Sequence, residues 1–164
     1  MPKARKMLSD RDAPCIQALM KLIETQSKTT LVVWAVDYSE KMLLPLWTKN
    51  HPVDLRPQRA LDAARAWLAG DMKLPQAKAA ILGCHAAARE AEGDPVGQAA
   101  ARAIGQSAST IHSARHCVGL PLYGALAVAY DTLGTQADWE KLQQCAAEEC
   151  GRMFDALQVV AEGK

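Results

Sequence analysis

Alanine is the residue type that most constrains how this chain can fold. The 164 residues include 30 alanines but one phenylalanine, and 5% of them are aromatic. Because few large side chains are available, the core has to be built from small side chains packed at close range. With 49% apolar and 23% charged residues, the chain has the composition of one globular domain that is large enough to bury its own core.

The spacing of the apolar residues predicts helices throughout the chain. Alternation with a period of two, which a half-buried strand would show, is absent between residues 10 and 162, and apolar residues recur at helical spacing instead. Proline and glycine interrupt this pattern at intervals. We therefore predict an all-α fold, a single compact bundle of about six to seven antiparallel helices joined by short connections.

The approximate bounds of the predicted helices are 10–26, 30–44, 56–70, 75–93, 95–117, 121–130 and 136–161. Ser9 or Asp10 would cap the first helix, and Pro45 would stop the second, leaving a loop at residues 47–55. The alanine-rich helix at 95–117 is expected to be the central element. Residues 10–162 are predicted to form a single helical domain, preceded by a flexible basic segment at residues 1–9.

Charge and hydropathy exclude several classes of protein. A net charge of +1 argues against a protein that coats nucleic acid or an anionic membrane, since such binding needs a large excess of Lys and Arg. The longest apolar run, residues 31–36, is too short to cross a bilayer, and no signal-peptide pattern follows the basic start. We expect a cytoplasmic protein without a membrane or nucleic-acid partner. Its five cysteines, an odd number without a CxxC pair, are expected to be reduced and mostly buried.

The predicted helix at 95–117 has an unusual polar side. On a helical projection its small apolar residues share one face, and the opposite face carries a polar stripe. The members of this polar stripe are Gln98, Arg102, Gly105, Ser109, His112, Ser113 and His116. The stripe lacks the Lys and Glu of an ordinary solvent face. It is therefore expected to face a cleft, or a second helix that approaches over Gly105 and Ser109.

Three histidines raise the question of a metal site. His112 and His116 are four residues apart, which on a helix lets two imidazoles share one metal ion, and His85 is the candidate for a third ligand. The HExxH pattern of zinc proteases is absent. Two interpretations stay open: a metal-dependent helical enzyme or small-molecule binder, or half-buried histidines hydrogen-bonded across a helix interface. No cofactor is implied.

Arginines supply most of the remaining candidate binding groups, since a guanidinium suits bidentate pairing with a carboxylate. The candidate polar cluster consists of Asp37, Arg56, Arg65, His85, Arg89, Arg102, Ser109, His112 and His116. Serine one turn before a histidine could reach its ring, but no nucleophile elbow, phosphate loop or oxyanion feature accompanies it. No catalytic residue is assigned.

Several motifs together resemble one family of bacterial proteins. They are Trp34-Ala35-Val36-Asp37 with Glu40, Leu44-Pro45-Leu46, Arg56-Pro57, Ala63-Ala64-Arg65-Ala66-Trp67, His85-Ala86-Ala87-Ala88-Arg89 and Ala101-Arg102-Ala103-Ile104-Gly105-Gln106, followed by His112, His116, Gly119 and Tyr123. In that order they resemble the alanine-rich helical immunity proteins of polymorphic toxin systems, over roughly residues 31–130. The first 28 residues and the tail after Gly134 match this family less closely.

The resemblance implies a non-enzymatic helical protein that protects its producer by binding a cognate toxin. The identity of that toxin does not follow from the sequence. The polar stripe or the acidic helix near the C-terminus would present the binding surface, with Trp47 or Trp67 as an anchor. Formation of a homo-oligomer is left open.

Overall fold

Eight α-helices make up most of the computed structural model, which describes residues 4–8 and 11–161. The helices are α1 (Pro14–Glu24), α2 (Lys28–Tyr38), α3 (Leu44–Thr48), α4 (Arg56–Leu68), α5 (Leu74–Glu90), α6 (Pro95–Ala108), α7 (Ala125–Leu133) and α8 (Trp139–Val160). They pack into one bundle, and none of the described residues lies in a strand. The predicted all-α bundle is confirmed. No helix among these residues is both long enough and apolar enough to cross a membrane.

Helix α6 is the central element, as the sequence predicted. It packs against α2, α3, α4, α5 and α7. Ten of its 14 residues are buried, and seven of these are alanines or glycines. Gln98 is also buried, and its side-chain amide donates to the Ala88 carbonyl oxygen of α5 at 2.7 Å. Small side chains let the neighbouring backbones come close on every side, so the alanine excess serves dense helix packing.

Pro45 does not stop the second helix, which corrects the predicted boundary. A π-helical turn at Ser39–Leu43 joins α2 to α3, so helical structure continues to Thr48. Leu44 donates its N–H to the carbonyl of Ser39, five residues back, and this widened turn lies where the proline ring would crowd a regular α-helix. Trp47, placed in a loop by the sequence pattern, therefore belongs to α3 and is 1% exposed.

The predicted helix at 95–117 ends earlier than expected, at Ala108. Two 3₁₀ segments follow, Ser109–Ile111 and Ala114–Val118, and the extended backbone of Ser113 separates them. The Ser109 hydroxyl donates to the Gly105 carbonyl at 2.7 Å, and the Thr110 hydroxyl donates to the Gln106 carbonyl. Side-chain hydroxyls that bond the backbone in this way compete with helical hydrogen bonds. The polar stripe is consequently not one continuous helix face.

The described residues near the N-terminus pack against the bundle. Leu8 donates its backbone N–H to the Leu122 carbonyl at 2.9 Å, and the Tyr130 hydroxyl donates to the Arg5 carbonyl at 2.7 Å. The Arg5 guanidinium also lies 4.2 Å from the ring centre of Trp139. The predicted cap at Ser9 or Asp10 lies outside the described residues. The flexibility of residues 1–9 and the domain bounds of 10–162 stay predictions.

Helix α8 is fastened to α2 by two polar contacts. The Trp34 indole N–H donates to the Met153 carbonyl at 3.0 Å. The Tyr38 hydroxyl donates to the carboxylate of Glu149, a residue only 1% exposed, and Arg152 donates to the same carboxylate at 2.8 Å. A buried carboxylate needs such donors, because removing it from water is costly.

Candidate functional site

Five polar side chains from three segments line a cavity of about 320 Å³. Helix α5 contributes His85 and Arg89, α6 contributes Arg102 and Gln106, and the π-helical segment Leu120–Gly124 contributes Tyr123. Residues four apart lie on one side of a helix, so each helix directs a pair of these side chains toward the cavity. We call this cavity and its five lining residues the arginine cleft.

Two glycines allow the walls of the arginine cleft to approach each other. A Cβ atom at Gly105 would lie 2.6 Å from Cε1 of His85, and a Cβ atom at Gly119 would overlap the side chain of Gln106. Only a residue without a side chain fits at either position. The sequence left open whether the polar stripe faces a cleft or a second helix over Gly105 and Ser109. Helix α5 lies over Gly105, and Arg102 of the stripe lines a cleft.

The cations of the arginine cleft are not neutralised within the described part of the chain. There, neither Arg89 nor Arg102 forms an ion pair with a carboxylate, in contrast to Arg56, Arg65 and Arg152. Burial lowers the pKa of His85, and the nearby Arg89, His116 and Arg102 lower it further. His85 is therefore a neutral imidazole at pH 7, with one nitrogen able to donate a hydrogen bond and the other able to accept one.

A larger cavity, of about 750 Å³, adjoins the arginine cleft, and both include Gln106 and Tyr123 in their walls. We call it the large cavity. Its other lining residues are Met7, Arg11, Met20, Ile23, Glu24, Gln26, Leu31, Ala114, Arg115, His116, Val118, Gly119 and Leu122. The Nδ1 atom of His116 is buried without a hydrogen-bond partner among the described residues. Burial, and secondarily the nearby His112, lowers the pKa of His116.

The three candidate histidines are not grouped as ligands in the described part of the chain. The described residues contain no group of three His, Cys, Asp or Glu side chains placed to share a metal ion. The rings of His112 and His116 lie 5.7 Å apart and tilted, because the two residues belong to a turn and a 3₁₀ segment rather than to successive turns of one α-helix. The structure therefore does not bring His85, His112 and His116 together as three ligands of one metal ion.

Ser109 also lies outside the arginine cleft. It is buried, and its hydroxyl donates to the Gly105 carbonyl at 2.7 Å. His112 is exposed and lines neither cavity. These two members of the candidate polar cluster therefore do not join His85, Arg89 and Arg102. His116 lines the large cavity and is close enough to His85 to lower its pKa.

Asp37 and Arg65 meet on another surface of the bundle, together with Glu40. Arg65 donates to Asp37 and to Glu40, each at 2.8 Å, and Gln58 donates to Glu40 at 3.2 Å. The hydrogen bond from Arg65, and then that from Gln58, holds the pKa of Glu40 below its usual value. Arg65 is therefore neutralised, and the cluster of one guanidinium with two carboxylates keeps a net negative charge.

Arg56 is neutralised in the same way. It donates to Asp54 at 2.7 Å and to Glu90 with both terminal nitrogens at 3.0 Å. The hydrogen bonds from Arg56 lower the pKa of both carboxyl groups. Arg56 therefore ties α5 to the start of α4 and is not a free binding group.

Sequence reasoning missed two residues of the arginine cleft. Gln106 follows Arg102 by four positions, and that spacing alone could have placed it on the same side of α6. Tyr123 comes from a separate segment, and no local pattern connects it with α5.

Trp47 is not the expected anchor, since its buried ring stacks on His51 at 3.9 Å and its N–H donates to the Asp54 carbonyl. Trp67 is partly buried, and the Lys28 ammonium lies 5.9 Å from its ring centre.

Comparison with known proteins supports the family that the motifs suggested. Residues 21–156 match the family model described as Imm-5 like putative immunity protein, so the match extends beyond the 31–130 region of the motifs. No curated protein and no solved structure gives a significant match. Because the family model covers most of the chain, the protein belongs to the Imm-5 like family of immunity proteins.

Proposed function

We propose that this protein protects its producer by binding one cognate toxin in the cytoplasm and holding it inactive. Membership of an immunity protein family supports a toxin partner in general. The observation that carries the proposal for this chain is the arginine cleft. Arg89 and Arg102 line this concave surface, and neither forms an ion pair with a carboxylate of the described residues. Unpaired guanidinium groups of this kind are frequent anchors in protein interfaces.

Two side chains that could act as nucleophiles, Cys84 and Ser109, are engaged in structural contacts, which favours binding over chemistry. Burial raises the pKa of the Cys84 thiol to about 12, and that thiol donates to the Ala101 carbonyl at 3.3 Å. The Ser109 hydroxyl is committed to the Gly105 carbonyl. A thiol that stays protonated is a weak nucleophile. Inhibition of a toxin by binding alone requires no reaction at either group.

Co-expression with toxin domains encoded near this gene tests the proposal. We expect one of these toxins to arrest growth alone and to be tolerated when the protein is present. We also expect the pair to elute as one complex in size-exclusion chromatography with light scattering, which at the same time reports whether the protein alone is a homo-oligomer. Failure to protect against any of the toxins would contradict the immunity role, and protection without a complex would contradict the binding mechanism.

A further inference from the structure

We propose that the arginine cleft and the large cavity form one groove that binds an acidic segment of the toxin. In this groove Arg89 and Arg102 hold a carboxylate, and an apolar side chain next to that carboxylate enters the large cavity. The inference rests on the proposed function and specifies the chemistry of the partner at this surface.

The two cavities share part of their walls. Gln106 and Tyr123 line both of them, and His116, which lines the large cavity, is close enough to His85 to affect its pKa. A segment of a partner chain that fills one cavity therefore meets the other within the length of a few residues.

The polar end of the groove is suited to a carboxylate. Four of its groups, Arg89, Arg102, the Gln106 amide and the Tyr123 hydroxyl, make no side-chain hydrogen bond to another residue of the described chain. All four can donate hydrogen bonds, and the two guanidinium groups favour planar, bidentate partners. Arg11 and Arg115 extend the positive charge around the large cavity, where Glu24 supplies the one carboxylate among the described residues of the wall. This local excess of cations stands out on a chain whose net charge is only +1.

The other end of the groove is suited to an apolar side chain. The wall of the large cavity includes the apolar side chains of Met20, Ile23, Leu31, Val118 and Leu122. Its volume of about 750 Å³ lies within the usual size of a binding pocket. Burial of an apolar side chain there would add affinity to the charge pairing, as interface anchors do when they fill a pocket.

The charge requirement is tested by exchanging single arginines and measuring the Kd for the toxin identified by co-expression. Arg102→Glu lies in the groove, and Arg59→Glu makes the same change of charge at an exposed position of α4 that lines neither cavity. We expect R102E to weaken binding by about 30-fold or more, the usual effect of losing one partner of a desolvated charge pair, and R59E to leave the Kd unchanged. Arg89→Glu, at an exposed position, repeats the test where misfolding is not a concern.

The apolar requirement is tested on α1. Met20→Trp enlarges a side chain in the wall of the large cavity, whereas Lys21→Trp adds the same ring at the adjacent exposed position, outside the cavity walls. We expect M20W to weaken binding by about tenfold or more and K21W to have no effect, since displaced apolar burial costs affinity at roughly this scale.

The outcomes separate the two proposals. If the wild-type chain binds no toxin, the proposed function fails and the groove proposal fails with it. If the wild-type chain binds the toxin and R102E, R89E and M20W bind it equally well, the toxin binds another surface of the protein. Only the groove proposal is then overturned. A small molecule that copurifies with the wild-type chain and is lost from R102E in native mass spectrometry would also overturn it, because the occupant would then be a metabolite.

Discussion

The imidazole of His85 lies directly against the backbone of Gly105, so closely that a Cβ atom at position 105 would fall 2.6 Å from Cε1 of the ring. This contact brings α5 and α6 together at the arginine cleft and sets the position of the ring in its wall. The fold and the candidate site therefore depend on the same pair of residues.

Gly105→Ala should destabilise the protein by about 1–3 kcal/mol, because the added methyl group overpacks the helix interface. Gly151→Ala is the matched control. Gly151 lies inside α8 with open space around it, so alanine there should stabilise the protein by about 0.5–1 kcal/mol through helix propensity alone. Urea unfolding of the wild-type protein and both variants measures the two changes in the free energy of unfolding.

A second variant decides whether His85 is the cause of that loss. In a His85→Ala background, Gly105→Ala should no longer destabilise the protein, since the ring that it would displace is absent. Equal losses in the presence and in the absence of the ring would show that Gly105 is required for another reason.

Ala101→Leu and Ala108→Leu should each destabilise the protein by about 1–3 kcal/mol, because both alanines are fully buried in α6 and leave no room for a longer side chain. Ala79→Leu, at an exposed position of α5, should change the free energy of unfolding by no more than about 0.5 kcal/mol. Thermal unfolding followed by circular dichroism compares the three. Unchanged stability of both α6 variants would mean that α6 is not the centre of the core.

The stability of the protein should fall as the pH is lowered from 7.5 to 5.5. The pKa values of His85 and His116 are lowered in the folded state, so the unfolded chain binds protons first as the pH passes the ordinary histidine value of about 6.5. Uptake of protons by the unfolded state favours unfolding in this window. The carboxyl groups of Glu40, Asp54 and Glu90, whose pKa values are lowered by their arginine partners, should add a second decline at more acidic pH.

Urea unfolding at several pH values measures this dependence. A His85→Asn variant should show a smaller loss between pH 7.5 and 5.5, because one of the two groups responsible is gone. Stability that stays constant or increases toward pH 5.5 in the wild-type chain would contradict the assignment of buried, neutral histidines.

Tyr38→Phe should destabilise the protein by about 1.5–3 kcal/mol, the usual value of a hydrogen bond to a charged group. The lost hydroxyl is a donor to the buried carboxylate of Glu149, which would then keep the hydrogen bond from Arg152. Tyr123→Phe removes a hydroxyl that has no hydrogen bond within the described chain, so it should alter stability by less than about 0.5 kcal/mol. Similar losses in both variants would indicate that the Tyr38 hydroxyl has no special role.

Local patterns were sufficient for the helices and for part of the site. Periodicity and composition predicted the all-α bundle and the central place of α6, and the missing Lys and Glu on its polar side indicated that this side faces a cleft or a second helix. The candidate polar cluster included His85, Arg89 and Arg102, which the fold brings together, but also residues that it places elsewhere.

The remaining features depend on contacts between distant parts of the chain. Arg56 and Glu90 are 34 positions apart, and Arg65 and Asp37 are 28 apart, so no sequence window shows that these arginines are already paired. The continuation of helical structure past Pro45 requires a π turn that propensity does not encode, and the end of α6 at Ala108 reflects hydroxyl groups that compete for backbone carbonyls.

Titration of the purified protein into the purified toxin, with the toxin's own activity followed at each step, tests the central claim most directly. Tight binding to one site predicts that activity falls in proportion to the added protein and reaches zero at one equivalent. Full toxin activity in the presence of excess protein, or complete loss at far less than one equivalent, would contradict inhibition by stoichiometric binding.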